Sequence, residues 1–222
     1  MNDFYRDDQV RDAQAMLDRL RQVVPDAVVL GGWAVFLYTR GQRSTDVDIA
    51  VDFEVFGRLQ AAFPGQITKN NNLRKYELIV DKVEVDILVG HFSNAGIPIE
   101  HVLEPTQSIS GFRVMSTEGL LAMKLCAWMD RSGRPKGDKD EADVLSLLRA
   151  VEFDWSRYRE IITHAEKRYS DLFPEAIARL VTSADVRRTW PFVKVNGKPV
   201  IASLADWKTF RQDLATKVPR GL

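Results

Sequence analysis

Asp46 and Asp48 stand two apart in a largely apolar run, Thr45 to Val51, that reads as a β-strand. Successive strand side chains face opposite ways, so both carboxylates leave the same face. Like charges set side by side among apolar neighbours are stable only with a cation between them, and an all-oxygen donor set suits a hard divalent ion, Mg2+ or Mn2+. Just upstream, Gly31-Gly32 follows the apolar strand Ala27 to Leu30 and precedes the short helical run Trp33 to Tyr38. Glycine lets a backbone turn sharply and approach a ligand closely, and the amides at a helix start attract phosphate. Metal and phosphates are therefore expected side by side.

Other charged residues fall where that chemistry could use them. Leu73 to Val80 and Lys82 to Val89 read as a hairpin about Asp81-Lys82, and Glu84 and Asp86 share a face of its second strand. One of the two would lie beside Asp46 and Asp48 if the strands are neighbours. His91, in the loop beyond, is expected to be merely exposed. Lys124 sits inside Ser116 to Asp130, a helix apolar over much of its circumference. Its ammonium must either reach water along its stem or meet an anion, for which a triphosphate is the candidate. Arg131 to Lys139 reads as a basic, glycine-containing loop leading into the first turn of a helix that runs to Ala150. Asp140 and Asp143 in that turn also suit the helix dipole.

The remaining elements must position these groups. Asp8 to Val24 carries apolar residues at three-and-four spacing and predicts an amphipathic helix covering one sheet face. A helix is expected from Glu54 to Phe63 and a strand from Ser108 to Met115. Helices are expected at 154–168 and 173–183. A hairpin follows at Phe192 to Ile201 with Asn196-Gly197 at its turn, then a helix from Ser203 to about Thr216. The fold class is α+β, a mixed sheet with flanking helices plus a mainly helical C-terminal region. The expected division places a core at 1–115 and the helical part, completing the nucleotide site, at 116–222.

Basic and acidic residues balance at 31 each over 222 residues, so nucleic-acid binding by net charge alone is not indicated. Lys194, Lys198, Lys208, Arg211, Lys217 and Arg220 gather positive charge near the end, which reads first as a solvated face and second as an RNA-facing surface. Cys126 is the one cysteine, a core residue rather than a nucleophile, with no intramolecular disulfide open to it. The first residues lack a signal-peptide core and no stretch is long and apolar enough for a membrane span; a cytoplasmic protein with no membrane partner is expected.

Leu30-Gly31-Gly32, a spacer, then Asp46-Val47-Asp48 resembles the nucleotidyltransferase superfamily of the DNA polymerase β type. The wording Gly31-Gly32-Trp33-Ala34 and Arg43-Ser44-Thr45-Asp46-Val47-Asp48 is most similar to the AbiEii/AbiGii and MenT-type toxins within it. Lys124 followed by Lys139-Asp140-Glu141-Ala142-Asp143 matches the same toxins, and the resemblance runs from about Val28 to Leu148. It implies a nucleotidyltransferase fold and transfer of a nucleoside monophosphate from a nucleoside triphosphate, ATP among the candidates. It also implies a cognate antitoxin and a tRNA, other RNA or protein acceptor. The resemblance assigns Asp46, Asp48 and Asp86 to metal and catalysis, with Glu84 as the fallback for the third. Gly31, Gly32, Arg43, Thr45, Lys124, Lys139 and Asp143 go to the nucleotide, and Lys124 and Asp140 also to catalysis, Asp140 or Asp143 orienting the lysine or the acceptor. Two alternatives share the motif: an enzyme modifying an aminoglycoside or lincosamide antibiotic, and a catalytically silent nucleotide- or partner-binding module.

Overall fold

Residues 6–182 and 187–219 are described by the structure, a computed structural model. Val28–Leu30 (β1), Val47–Val51 (β2), Ile67–Asn70 (β3), Lys75–Val80 (β4), Val83–Val89 (β5), Thr106–Ile109 (β6) and Phe112–Met115 (β7) form one sheet in the order β3-β4-β5-β2-β1-β7-β6. The pairs β2·β5 and β1·β7 are parallel and the others antiparallel, so the sheet is mixed.

Register does the positioning. Leu30 lies opposite Asp48, Asp48 opposite Asp86, and Asp86 opposite Glu77. Residues directly opposite share a face, so these four side chains form a row across β1, β2, β5 and β4. The alternate residues turn the other way. Val29 and Ile49 line a hollow with Leu17 and Leu20 of the first helix, Asp7–Val23 (α1), whose apolar stripe is buried there as its spacing predicts.

On the carboxylate face stand Gly31–Thr39 (α2), Thr117–Arg131 (α4) and Pro135–Ala150 (α5), packed against one another; Phe53–Ala62 (α3) contacts α1 and β2. Ser116 caps α4 by accepting the Gly119 amide, and Asp52 caps α3 by accepting that of Val55. Trp155–Ile162 (α6) and Phe173–Thr182 (α8) lean on α4, with Lys167–Ser170 (α7) between them. A short hairpin, Lys194–Val195 (β8) and Lys198–Pro199 (β9), packs on α5, and Leu204–Lys217 (α9), capped by Ser203, ends the described chain. The hairpin also closes the far end of α2. The Asn196 and Gly197 amides donate to the carbonyls of Thr39 and Arg40 at 2.8 and 2.7 Å, satisfying groups that a helix end leaves unpaired.

Several expectations need correction. β3 lacks an apolar alternation and was not expected; it follows its partner β4 through register alone. Ser108 to Met115 is not one strand: Ser110 and Gly111 have φ of 54° and 79°, a two-residue turn that folds it into β6 and β7. The basic loop after α4 is much shorter than expected, because Pro135 opens α5 and carries Lys136 and Lys139 onto the helix. The helix expected at 154–168 breaks after Ile162, where the Glu166 amide bonds the carbonyl of Gly96 instead. Ser183 and Arg220 lie outside the described residues. Among the other basic residues near the end, Lys194 is buried and Lys217 pairs with Glu152 at 2.7 Å.

Candidate active site

Gly31 begins α2 with φ of +63°, a conformation glycine adopts freely, and a Cβ there would collide with the Asp48 carboxylate. A Cβ on Gly32 would stand 2.7 Å from both Lys139 Nζ and Ser44 Oγ. The glycine pair is thus what lets a helix start in contact with the acids. Asp48 is on β2, whereas Asp46 precedes the first strand residue, where the Ser44 hydroxyl donates to its Oδ1 at 2.5 Å. Both acids, with Asp86 from β5, open on one cleft of about 500 Å³.

Their electrostatics differ. Burial pushes Asp48 up to about 7, reinforced by the charges of Asp46 and Asp86 and opposed by Lys124 and Lys139. Burial also acts to raise Asp46, but the Ser44 hydrogen bond and the charge of Lys139 outweigh it and hold Asp46 below the usual carboxylate range. Three carboxylates opening on one cleft, the central one crowded by the other two, are an oxygen-only set that fits a hard divalent ion. The third arm is otherwise engaged: Lys75 Nζ donates to Asp86 Oδ1 at 2.6 Å. No three ligand side chains among the described residues converge as a ready-made metal cage.

Across the cleft, α4 and α5 hold a buried ion network. Lys124 Nζ lies 2.7 Å from Asp143 Oδ2 and 3.2 Å from Asp140 Oδ1; Lys139 Nζ lies 3.2 Å from the same Asp143 oxygen. Arg131 reaches Asp140 Oδ2 at 2.8 Å. Lys124 therefore does not snorkel. Burial alone would lower its pKa, yet Asp143 and Asp140 raise it, so it stays an ammonium, and its charge is felt at Asp48. Asp140 and Asp143 are 3 % and 2 % exposed, which makes them counter-ions rather than solvated helix-start acids.

Gly31, Gly32, Asp46, Asp48, Asp86, Lys124, Lys139 and Asp140 all line the cleft, and Asp143 stands behind the two lysines. Arg43 and Thr45 are not among the lining residues. Arg43 is exposed, its guanidinium 5.7 Å from the Phe36 ring centre. Glu84 is exposed on β5 in line with Ile79, and His91 is exposed with its Nδ1 3.5 Å from Glu100. Cys126 is buried, and burial followed by the charges of Asp130 and Glu166 pushes its thiol up to about 12, so it is no nucleophile at neutral pH. Sequence reasoning missed Ser44, Lys75 and Glu77. For the last two the signal was present, a lysine and an acid two apart on the strand paired with that of Asp86.

A sequence profile described as "Nucleotidyl transferase AbiEii toxin, Type IV TA system" matches residues 3–220. Among curated proteins no relative matches. Similar solved structures include an antigenic nucleotidyltransferase-like protein from Paracoccidioides brasiliensis, at 18 % identity, TM-score 0.41, covering 78 % of this chain and 93 % of that one. JHP933 from Helicobacter pylori is similar at 17 % identity and TM-score 0.46, covering 94 % of each chain. The Megavirus polyadenylate synthase is similar at 12 % identity and TM-score 0.44, covering 65 % of this chain and 33 % of that one.

Proposed function

The chain belongs to the AbiEii nucleotidyl transferase toxin family, and on that premise we propose that it transfers a nucleoside monophosphate from a nucleoside triphosphate to RNA, with a tRNA end as the expected acceptor. The observation that carries the reading is the row of Asp48 and Asp86 meeting the glycine-bearing start of α2 on one side and Lys124 and Lys139 on the other. The family's description as a type IV toxin implies an antitoxin partner. No helix among the described residues is long and apolar enough to cross a membrane.

In this reading the α2 amides and the lysine pair bind the triphosphate, and the buried Asp140 and Asp143 hold those lysines charged and aimed. The acceptor hydroxyl attacks the α-phosphorus, the bond to the β-phosphate bridging oxygen breaks, pyrophosphate leaves, and the hydroxyl proton passes to Asp86 or to water. Asp46, Asp48 and Asp86 would hold a divalent cation, which when bound neutralises phosphate charge and lowers the pKa of the attacking oxygen. Positioning and charge neutralisation by these residues supply most of the rate. Arg131 and Lys136, which line the cleft, give it a basic rim suited to a polyanion rather than to a cationic drug.

The test is transfer of label from each nucleoside triphosphate to total RNA or to protein extract in the presence of Mg2+. We expect labelled RNA, with Asp46→Asn, Asp48→Asn reducing transfer at least about a hundredfold. Label on protein would replace the acceptor and leave the chemistry standing. Full activity in the double variant would sink the reading.

A further inference from the structure

The carboxylate row does not stop at Asp86. Glu77 faces Asp86 across β4·β5, and Lys75, two residues before Glu77, lies on the same face of β4. Its ammonium sits between the two acids, 2.6 Å from Asp86 Oδ1 and 3.0 Å from Glu77 Oε1, with its side chain 16 % exposed. The clamp is braced from both sides. Asn70 Nδ2 donates to the same Glu77 oxygen at 3.1 Å, and neighbouring Arg74, in a left-handed conformation with φ of 49°, donates to the Phe92 carbonyl at 3.0 Å. Lys75 lines the same cleft as Asp46 and Asp48.

We propose that Lys75 is a positioning residue for Asp86 and a built-in competitor for the divalent cation. Its ammonium and the metal share one carboxylate, and the clamp between Asp86 and Glu77 sets how tightly the site takes the ion. The inference rests on the reading above that Asp46, Asp48 and Asp86 hold the metal, and it adds what that reading lacks, a group of this chain that opposes loading. An ammonium hydrogen-bonded to Asp86 Oδ1 draws charge from that oxygen and repels a dication nearby. Loading the site then requires Lys75 to give up Asp86 and withdraw to Glu77. Glu77 is therefore the place where the displaced ammonium waits, and the site exchanges one cation for another without exposing an uncompensated carboxylate cluster.

The experiment is calorimetric titration of Mn2+, without nucleotide, into the full chain freed of metal by chelation and dialysis. Lys75→Met is expected to tighten Mn2+ binding by about tenfold or more, from removal of one unit charge at a shared ligand, whereas Lys75→Arg stays within about threefold of the parent protein. Glu77→Gln is expected to weaken binding by about threefold, because the ammonium then rests on Asp86 alone. It keeps the test open should Lys75→Met fail to fold, as judged by circular dichroism. Equal or weaker binding in a folded Lys75→Met, or equal or tighter binding in Glu77→Gln, overturns the proposal. The metal-site reading survives that outcome if the parent protein binds Mn2+ and Asp46→Asn, Asp48→Asn does not. No Mn2+ binding by the parent or by Lys75→Met would overturn both.

Discussion

A carboxylate packed deep in a cleft and faced by two others keeps its proton far up the pH scale, and Asp48 does so to about 7 against an ordinary 3.8. The raised value is a statement about stability. Below pH 4 Asp48 is protonated both folded and unfolded and its contribution is fully present. As pH rises through about 7 the folded chain must accept an unfavourable charge, and that contribution is lost. In chelator, melting curves should therefore show the parent protein losing roughly 2–4 kcal/mol relative to Asp48→Asn between pH 4 and pH 8. Adding Mn2+ at pH 8 should recover most of it. A difference between the two proteins that does not change with pH would remove Asp48 from this role. Asp46 and Asp48 were legible in sequence as a spaced pair of acids, whereas Asp86 in preference to Glu84 rested on the resemblance. Lys75 and Glu77 were passed over although the hairpin pairing their strand with that of Asp86 was expected, because only the register sets Glu77 opposite Asp86. Lys124 was legible as an anomaly; from the residues alone Asp140 and Asp143 suit the helix dipole, and it is the resemblance that directs one of them to the lysine or the acceptor.

At the scale of elements, the start of α2 carries the strictest local demand. Its first residue must take a left-handed conformation and leave room for a carboxylate, which glycine alone does. Gly31→Ala adds about 1–2 kcal/mol of backbone strain and forces Asp48 aside. We expect a folded protein by circular dichroism whose nucleoside triphosphate affinity, measured by calorimetry, falls at least about tenfold; undiminished affinity would show that α2 does not hold the phosphates. Elements with strong periodicity, α1, α4 and the β4·β5 hairpin, fall where the sequence places them. The misses share a cause: the Ser110-Gly111 turn and the break after α6 are decided by one or two backbone conformations or hydrogen bonds, too local to disturb a pattern read over ten residues.

The whole molecule is tied together around α2, whose first residue meets Asp48 and whose last carbonyls receive the β8·β9 turn. Asn196 and Gly197, with φ of 52° and 71°, form the two-residue turn that presents those amides. Replacing both by alanine should cost roughly 2 kcal/mol, lowering the melting temperature by about 4–8 °C. It should also weaken phosphate binding, although neither residue lines the cleft. An unchanged nucleotide affinity would mean that α2 keeps its place without the hairpin. No sequence pattern announced this link, because Asn-Gly specifies a turn and says nothing of what the turn touches.

That fastening has a temporal side. A ribosome delivers Gly31 well before Asn196, so the helix that frames the cleft stays unsealed at one end until the turn has emerged. Synthesis cut short between Glu166 and the turn yields a protein with every acid and lysine of the cleft and an unanchored α2. For an enzyme of a toxin family, a cleft framed at both ends of α2 is thereby available only once that turn has been made.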